Sequence, residues 1–560
     1  MIDAFPASLV LILGAVLMPF VGKAQRTALI LGLPLIGLII LWGTPLGIGG
    51  TYTVAEYQLV LVRNDELSRV FATIFMIMAF GGGLFALRQE KTMELMAAFI
   101  YAGGAVGVAQ AGDLVTVFVF WELMALASAA VILSQGTDGA LKVSLRYLLV
   151  HMLGGAFLMT GILLYVTQTG SIAFVAMKAE TLAVWLILIG VLLNAAAPPF
   201  SPWLPDAYPK ASFSGTVFLS AFTTKTAVYV LIRGFPGTEI LIVVGVIMIF
   251  YGIIYALLEN DMRRILAYSI VNQVGFMVVG VGIGTEMALN GAAAHAFTHI
   301  IYKGLLLMSA GAVLYQTGKS KCTDLGGLFQ SMPLTTVCGT IGALAISSFP
   351  FTSGFISKSM ISQSAADQHM AFVWFMLMAA SAGVFLHAGI KYPWFVFFQK
   401  DSGLRPPDPP WSMRLAMILF AVFCVGLGVW PEPLYKILPY PVDYVPYTVP
   451  HVVNMLQLLL MSGLAFFVLL PMMKRTLTIT LDFDWSYRKL LPKAAHWFVE
   501  TFSPVDRTIR VLWRRKVELV IAGVFRHHGP HGILARPWTI GSTAMGVALL
   551  LAVFLIAYFL

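Results

Sequence analysis

Runs of about twenty apolar residues recur along most of this chain, joined by mostly short polar connections. At 1.5 Å per residue each run is long enough to cross a hydrocarbon layer about 30 Å thick. Inside that layer no water satisfies backbone N–H and C=O groups, so runs of this length are confined to helices, which close their hydrogen bonds internally. Composition agrees: 59% of residues are hydrophobic and 11% charged, against roughly 25% charged in a soluble domain. A water-soluble multidomain enzyme, a disordered chain and a collagen-like chain are excluded. The expected fold class is an all-α polytopic membrane protein.

Sixteen segments are read, near 6–22, 27–44, 68–86, 92–110, 113–133, 142–168, 183–207, 213–234, 239–258, 263–284, 289–316, 333–366, 370–399, 412–430, 452–474 and 537–559. The long connections are 45–67, 431–451 and 475–536. Cys322, Cys338 and Cys424 are too widely spaced to give a CxxC metal pair or a disulfide framework, so neither a cofactor nor a metal is expected. The opening MIDAFPASLV has no basic n-region and does not read as a cleaved signal peptide.

Two segments carry helix breakers. The seventh holds Asn194 to Pro205 with four prolines, and the twelfth holds Ser347-Ser-Phe-Pro-Phe-Thr-Ser-Gly354. Proline removes a backbone hydrogen bond and clashes with the preceding turn. Broken helices at corresponding places in two halves mark a transport site at a repeat interface. Lys225 follows Asn194 by 31 residues and Lys391 follows Lys358 by 33, a spacing that supports an internal repeat; coincidence in a lysine-poor chain is the competing reading.

Placing the odd-numbered loops and the stretch after segment fifteen on one side collects 26 of the 35 Lys and Arg. The other side holds five, and Lys225, Lys303, Lys358 and Lys391 remain within segments. The positive-inside rule puts the 26 in the cytoplasm, so a multi-pass protein of the inner (plasma) membrane with both termini outside is expected. Residues 485–526 are basic and amphipathic, with Trp485, Trp497 and Trp513, and read as a helix on the cytoplasmic membrane surface. It serves either as an anchor or as a docking surface for a partner.

A charge near the bilayer centre costs at least a few kcal/mol. Of the 26 carboxylates only Glu122 is read as deep within a segment. With Lys225, Lys303, Lys358, Lys391 and the histidines His151, His295, His299 and His387 it forms the candidate set. Desolvation makes a buried lysine surrender its proton more readily, and histidine titrates near neutrality. His295, His299 and Lys303 recur at i, i+4, i+8 and share one helix face. That spacing suits a proton relay better than a zinc site, since no third ligand is evident. The competing reading is a set of satisfied polar groups that only hold helices together. No phosphate-binding loop, dinucleotide fingerprint, haem motif or hydrolytic triad is present.

Taken together, Trp121-Glu122, Trp203-Leu-Pro-Asp-Ala-Tyr-Pro209, Thr223 to Tyr229, Asp261 to Tyr268, His295 to Lys303 and Gly354-Phe-Ile-Ser-Lys358 resemble the antiporter-like subunits. These are shared by Mrp-type Na⁺/H⁺ antiporters, respiratory complex I and membrane-bound hydrogenases, with the Mrp-type D subunit the nearest in pattern. The resemblance covers about residues 1–430 and implies fourteen core helices with inverted repeats, about 92–234 and 239–399. It implies proton-carrying roles for Glu122, Lys225, the His295/His299/Lys303 cluster and Lys358. Outside it lie an outward loop and helix (431–474), the basic segment (475–536) and a last helix (537–560). One departure stands out: where the family usually has a lysine paired with the glutamate, nine residues before the Trp-Leu-Pro, this chain has Asn194. Arg263, where lysine is common, is expected to be structural.

The function expected is that of a D-like component of a multisubunit monovalent-cation/H⁺ antiporter. Its expected partners are other hydrophobic subunits, protons, monovalent cations and the lipid bilayer, and no nucleic acid. The alternatives are the proton-pumping arm of a complex I-like or hydrogenase-like redox enzyme, a component coupled to another partner such as an inorganic-carbon system, and a stand-alone solute carrier.

Overall fold

A computed structural model describes residues 5–472 and 482–559. Residues 475–481, the start of the basic segment, and Lys474 lie outside the described residues. Thirteen helices among the described residues are long and apolar enough to cross a membrane, and shorter apolar helices occupy Ala7–Phe20, Leu182–Asn194 and Pro333–Ile346. The chain divides into two compact units, Met1–Asp482 and Phe483–Leu560.

The first unit opens with α1 (Ala7–Leu17) and α2 (Lys23–Gly43), then a departure from the all-helical expectation. The 45–67 connection forms an antiparallel hairpin of β1 (Gly47–Val54) and β2 (Tyr57–Asn64), in register from Gly47↔Asn64 to Val54↔Tyr57. Thr51-Tyr-Thr-Val54 and Leu59-Val-Leu-Val62 are rich in β-branched and aromatic residues. Outside the lipid, such a stretch is free to pair across strands.

Then follow α3 (Glu66–Phe85), α4 (Thr92–Gln110), α5 (Leu114–Leu133) and α6 (Asp138–Thr169). Segment seven breaks as its prolines require: α7 (Leu182–Asn194) stops, and the short α8 (Trp203–Ala207) resumes after a non-helical stretch. Segment twelve does the same between α14 (Pro333–Ile346) and α15 (Ser353–Asp367). The two breaks match in detail. Ala196 and Ser348, each two residues past the last helical position, hold φ of 62° and 60°. Side chains capture the freed carbonyls: the Trp203 indole donates to Leu193 O at 3.1 Å, and Lys358 Nζ donates to Ile346 O at 2.7 Å.

Segment eight, expected to be continuous, is interrupted as well. A turn at Ser220–Phe222 separates α9 (Gly215–Leu219) from α10 (Thr223–Gly234). Ser and Thr hydroxyls compete for backbone groups and weaken a helix, and Ser220 Oγ donates to Val217 O at 2.8 Å. The Thr223 N–H donates to the Tyr101 hydroxyl at 2.8 Å instead of to a helical carbonyl. Segment thirteen, α16 (Ala371–Val384), widens into π-helical turns over Phe385–Lys391 and Trp394–Phe398. Thus both lysine-bearing helices that follow the breaks are distorted.

At the centre stand α12 (Met262–Ile283) and α13 (Glu286–Thr317), with α11 (Ile240–Leu258) packed on α12 through glycines. A Cβ at Gly252 would lie 2.6 Å from Asn272 N, a backbone approach that only glycine allows. α17 (Trp411–Val429), the short α18 (Glu432–Tyr435) and α19 (Val449–Val468) complete the unit. The second unit holds α20 (Leu491–His528) and α21 (Ile540–Phe559). The 38 residues of α20 span about 57 Å at 1.5 Å each, with i,i+4 pairs such as Arg510–Asp506 and Arg514–Glu518 along it.

Candidate proton-relay site

Lys225 is held by the break before it. Its Nζ donates to Ser220 O at 2.6 Å and to Thr224 Oγ1 at 3.1 Å, and its side chain is wholly buried. The helix interruption exposes a carbonyl for an ammonium that has no carboxylate to meet.

The α13 face behaves as its spacing implies. The His295 and His299 rings are 6.2 Å apart, and His299 is 5.2 Å from the Tyr302 ring. His295 Nδ1 meets Ser357 Oγ at 2.9 Å and Nε2 meets Gln273 Oε1 at 3.1 Å, while the Tyr302 hydroxyl donates to the same Gln273 oxygen at 3.0 Å. Ser357 precedes Lys358 on α15, so the histidine reaches the second lysine's helix through one hydroxyl. Both ring nitrogens of His299 are buried without a hydrogen-bond partner among the described residues. Lys303 Nζ donates to Ser269 Oγ at 3.0 Å and Leu266 O at 3.4 Å.

Lys358 lies across the second break on Ile346 O, and its Nζ sits 4.8 Å above the Phe276 ring, where the quadrupole favours a cation. Among the described residues no carboxylate lies within 4.0 Å of Lys225, Lys303, Lys358 or Lys391. Each ammonium is therefore held by carbonyls, hydroxyls and rings. Losing its proton breaks no ion pair, and that leaves it able to exchange one.

Two candidates stand apart from the central row. Lys391 Nζ donates to Ala256 O at 3.1 Å, Leu257 O at 2.5 Å and Glu259 O at 2.6 Å, capping the C-terminus of α11, where the helix dipole favours a cation. Glu122 is only partly buried, and both of its oxygens lack a partner among the described residues. Its carboxylate packs on Gly155 of α6, where a Cβ would not fit. A Cβ at the neighbouring Gly154 would lie 3.5 Å from Asn194 Oδ1, itself unpartnered and 4% exposed. The two groups that would form the usual pair thus approach adjacent glycines of one helix, without the lysine. Lys225 does not substitute, being tied to Ser220.

His151 and His387 are anchored to their own helices through Nδ1, with Nε2 buried and unpartnered among the described residues. Each sends Nδ1 to a carbonyl four residues earlier, Tyr147 O at 2.9 Å and Gly383 O at 2.8 Å, and His151 stacks on Tyr147 at 4.0 Å. Arg263 holds the link after α8, donating at 2.8 Å to Pro209 O, Ala211 O and Ser212 O.

Sequence reasoning missed Gln273, Ser269 and Ser357, which knit the row together, and two carboxylates at helix ends, Glu94 and Asp113, each 1% exposed. A polar residue inside an apolar helix marked Gln273; nothing local distinguished Glu94 from a solvated first-turn glutamate. Asp113 caps α5, accepting from Thr116 N at 2.8 Å. At the N-terminus of α3 and the last turn of α10, Asp65 pairs with Arg233 at 2.7 Å.

Residues 111–385 match the transmembrane family described as NADH:quinone oxidoreductase/Mrp antiporter. The D subunit of the Na⁺/H⁺ antiporter of Alkalihalophilus pseudofirmus is 30% identical over 334 residues, 54% of this chain and 66% of that protein. Among solved structures, a chain of the Mrp complex from Dietzia sp. DQ12-45-1b superposes with a TM-score of 0.67 at 21% identity, over 77% of this chain and 95% of that one. A chain of the membrane-bound sulfane sulfur reductase, an archaeal respiratory membrane complex, superposes with a TM-score of 0.71 at 24% identity, over 98% of this chain and 99% of that one. The fold is therefore that of membrane subunits from multisubunit complexes.

Proposed function

Because the chain belongs to the NADH:quinone oxidoreductase/Mrp antiporter transmembrane family, we propose that it is a D-like component of a multisubunit monovalent-cation (Na⁺)/H⁺ antiporter. Residues 1–430 form the translocating core, with inverted halves near 92–234 and 239–399, and the basic segment faces the cytoplasm with both termini outside. Protons pass along Lys225, His299, Lys303, His295 and Lys358, with water completing the row. Glu122 and Lys391 act at its ends, where neighbouring subunits or the aqueous phase meet the chain. The observation that carries this reading is the line of buried amines and imidazoles with no carboxylate partners. Protonating one group raises the cost of protonating the next through repulsion, so a charge change at one end is felt at the other.

A second reading is favoured by one observation. The likeness to the sulfane sulfur reductase chain runs over 98% of this chain, including the α20–α21 unit, whereas the likeness to the Mrp chain stops at 77%. On that reading the same relay is the pumping arm of a redox complex whose electron carriers lie in other subunits.

Purifying the native complex in mild detergent through a tag on this chain separates the two. Small hydrophobic partners, and cation pulses that change lumenal pH in proteoliposomes, are the expected result. Iron–sulfur or flavoprotein partners would overturn the antiporter assignment in favour of the redox arm.

A further inference from the structure

The relay as drawn begins at Lys225, yet the first half holds another buried ionisable group that it does not use. Glu94 lies in the first turn of α4 and is 1% exposed. Its Oε1 accepts three hydrogen bonds, from Ser212 Oγ at 2.5 Å, Ser214 Oγ at 2.8 Å and Gln89 Nε2 at 3.1 Å. Its Oε2 is equally buried and meets no hydrogen-bond partner among the described residues. An ionised carboxylate offers lone pairs on both oxygens, and a buried one left unpaired costs on the order of 1–3 kcal/mol. A carboxylate needed only as a brace would spread its donors over both oxygens. Here one oxygen is anchored and the other is left free for a proton.

The surroundings give this group two openings. Toward the cytoplasm stands Gln89, half-exposed, its Nε2 within 3.3 Å of Ser212 Oγ and 3.1 Å of Ser214 Oγ as well. Toward the membrane centre, Ser212 begins the link that becomes α9 and α10, and Lys225 follows thirteen residues later. The link between them carries buried hydroxyls at Ser214, Ser220 and Thr224, and Lys225 Nζ rests on Ser220 O and Thr224 Oγ1. The charges facing Glu94 are Lys91 on its own segment, exposed and bound to Gln135 O at 2.6 Å, and Arg263 from α12, buried on the carbonyl of Ser212. Neither cation is hydrogen-bonded to Glu94.

We propose that Glu94 is the cytoplasmic proton-loading residue of the first half-channel, taking a proton on Oε2 and delivering it toward Lys225 through water in the intervening polar link. The proposal rests on the relay reading above. In the transfer, an aqueous proton forms the Oε2–H bond. That bond then breaks as a proton arrives on the neutral amine of Lys225, and the carboxylate is regenerated. Such an entry suits a chain in which Asn194 cannot carry a proton.

The test uses the whole complex in lipid. Glu94→Gln keeps a side-chain carbonyl for the three donors but cannot carry a proton; Glu94→Asp keeps the carboxyl. Infrared difference spectra across a pH step read a protonated carboxyl directly, with no need of transport, so they stand or fall apart from the exchange reading. The expected result is a carboxyl carbonyl band that disappears in Glu94→Gln and survives, shifted, in Glu94→Asp. Proton exchange should fall about a hundredfold in Glu94→Gln, the size typical of a lost acid–base group, with partial recovery in Glu94→Asp. A band unchanged in Glu94→Gln, a band removed by Na⁺ rather than by pH, or wild-type exchange in a correctly assembled Glu94→Gln complex would each overturn the assignment.

Discussion

Lys225 offers the sharpest trial of the relay, because two substitutions there separate charge from proton exchange. Its ammonium donates to Ser220 O at 2.6 Å and Thr224 Oγ1 at 3.1 Å. Lys225→Ala removes both bonds, about 1 kcal/mol each, and also removes a buried cation that no carboxylate compensates. The two effects oppose one another, so the protein is expected to insert and assemble. Transport fares differently. With no basic group at this point, an excess proton must cross the gap as an unpaired charge, at about 2.5–3.5 kcal/mol on insertion scales. At 1.36 kcal/mol per tenfold, that slows exchange about 70- to 400-fold. Lys225→Arg keeps the charge but cannot release its proton, since guanidinium stays ionised, and should lose as much. The assay is purified complex in proteoliposomes, a pH-sensitive dye in the lumen and a cation pulse outside, with assembly checked by size exclusion. Exchange above a tenth of the wild-type rate in Lys225→Arg would refute the argument that this residue must give up its proton.

Two further outcomes follow from the geometry. Asn194→Lys introduces an ammonium against Gly154, next to the glycine that Glu122 approaches, and if the long side chain reaches Glu122 it should be tolerated alone; combined with Glu122→Gln it leaves an unpaired buried charge, costing about 3–5 kcal/mol, so thermal melts in detergent should separate the two variants, and equal melting would show that the side chains do not meet. At the start of α3, burial pushes the Asp65 carboxyl up, but the Arg233 hydrogen bond and charge, with help from the Ser68 N–H and Arg63, together hold it below the ordinary carboxylate range; a depressed folded value means that its contribution, about 1.5–3 kcal/mol for a charged hydrogen bond, is complete above the ordinary carboxylate value near pH 4 and is lost as pH falls through the folded value, so melts taken downward from pH 5 should fall more steeply in wild type than in Asp65→Asn.

The sequence by itself determined the class of the fold and the identity of the central groups. Apolar runs of membrane length leave helices as the only closed solution, and the prolines of segment seven could not continue a helix. The i, i+4, i+8 spacing put His295, His299 and Lys303 on one face: the two imidazole rings adjoin, and His295 and Lys303 both reach α12, at Gln273 and Ser269. A lysine in an apolar run of membrane length is too costly to be incidental, which made Lys225 and Lys358 legible without coordinates. The tertiary structure decided what those groups touch. Only packing shows that segment eight breaks at Ser220, because the missing helical bonds are supplied by Tyr101 from another helix. Only packing separates Lys391, which caps α11, from the lysines of the row, since both sit in apolar sequence. Glu94 and Asp113 look like ordinary first-turn or capping acids until neighbouring elements bury them. The hairpin at 47–64 depends on a chain turning back outside the lipid, where strand pairing is open to it. Local chemistry fixes which residues resist the membrane; the partners that make such residues bearable come from distant parts of the chain, and no sequence window contains them.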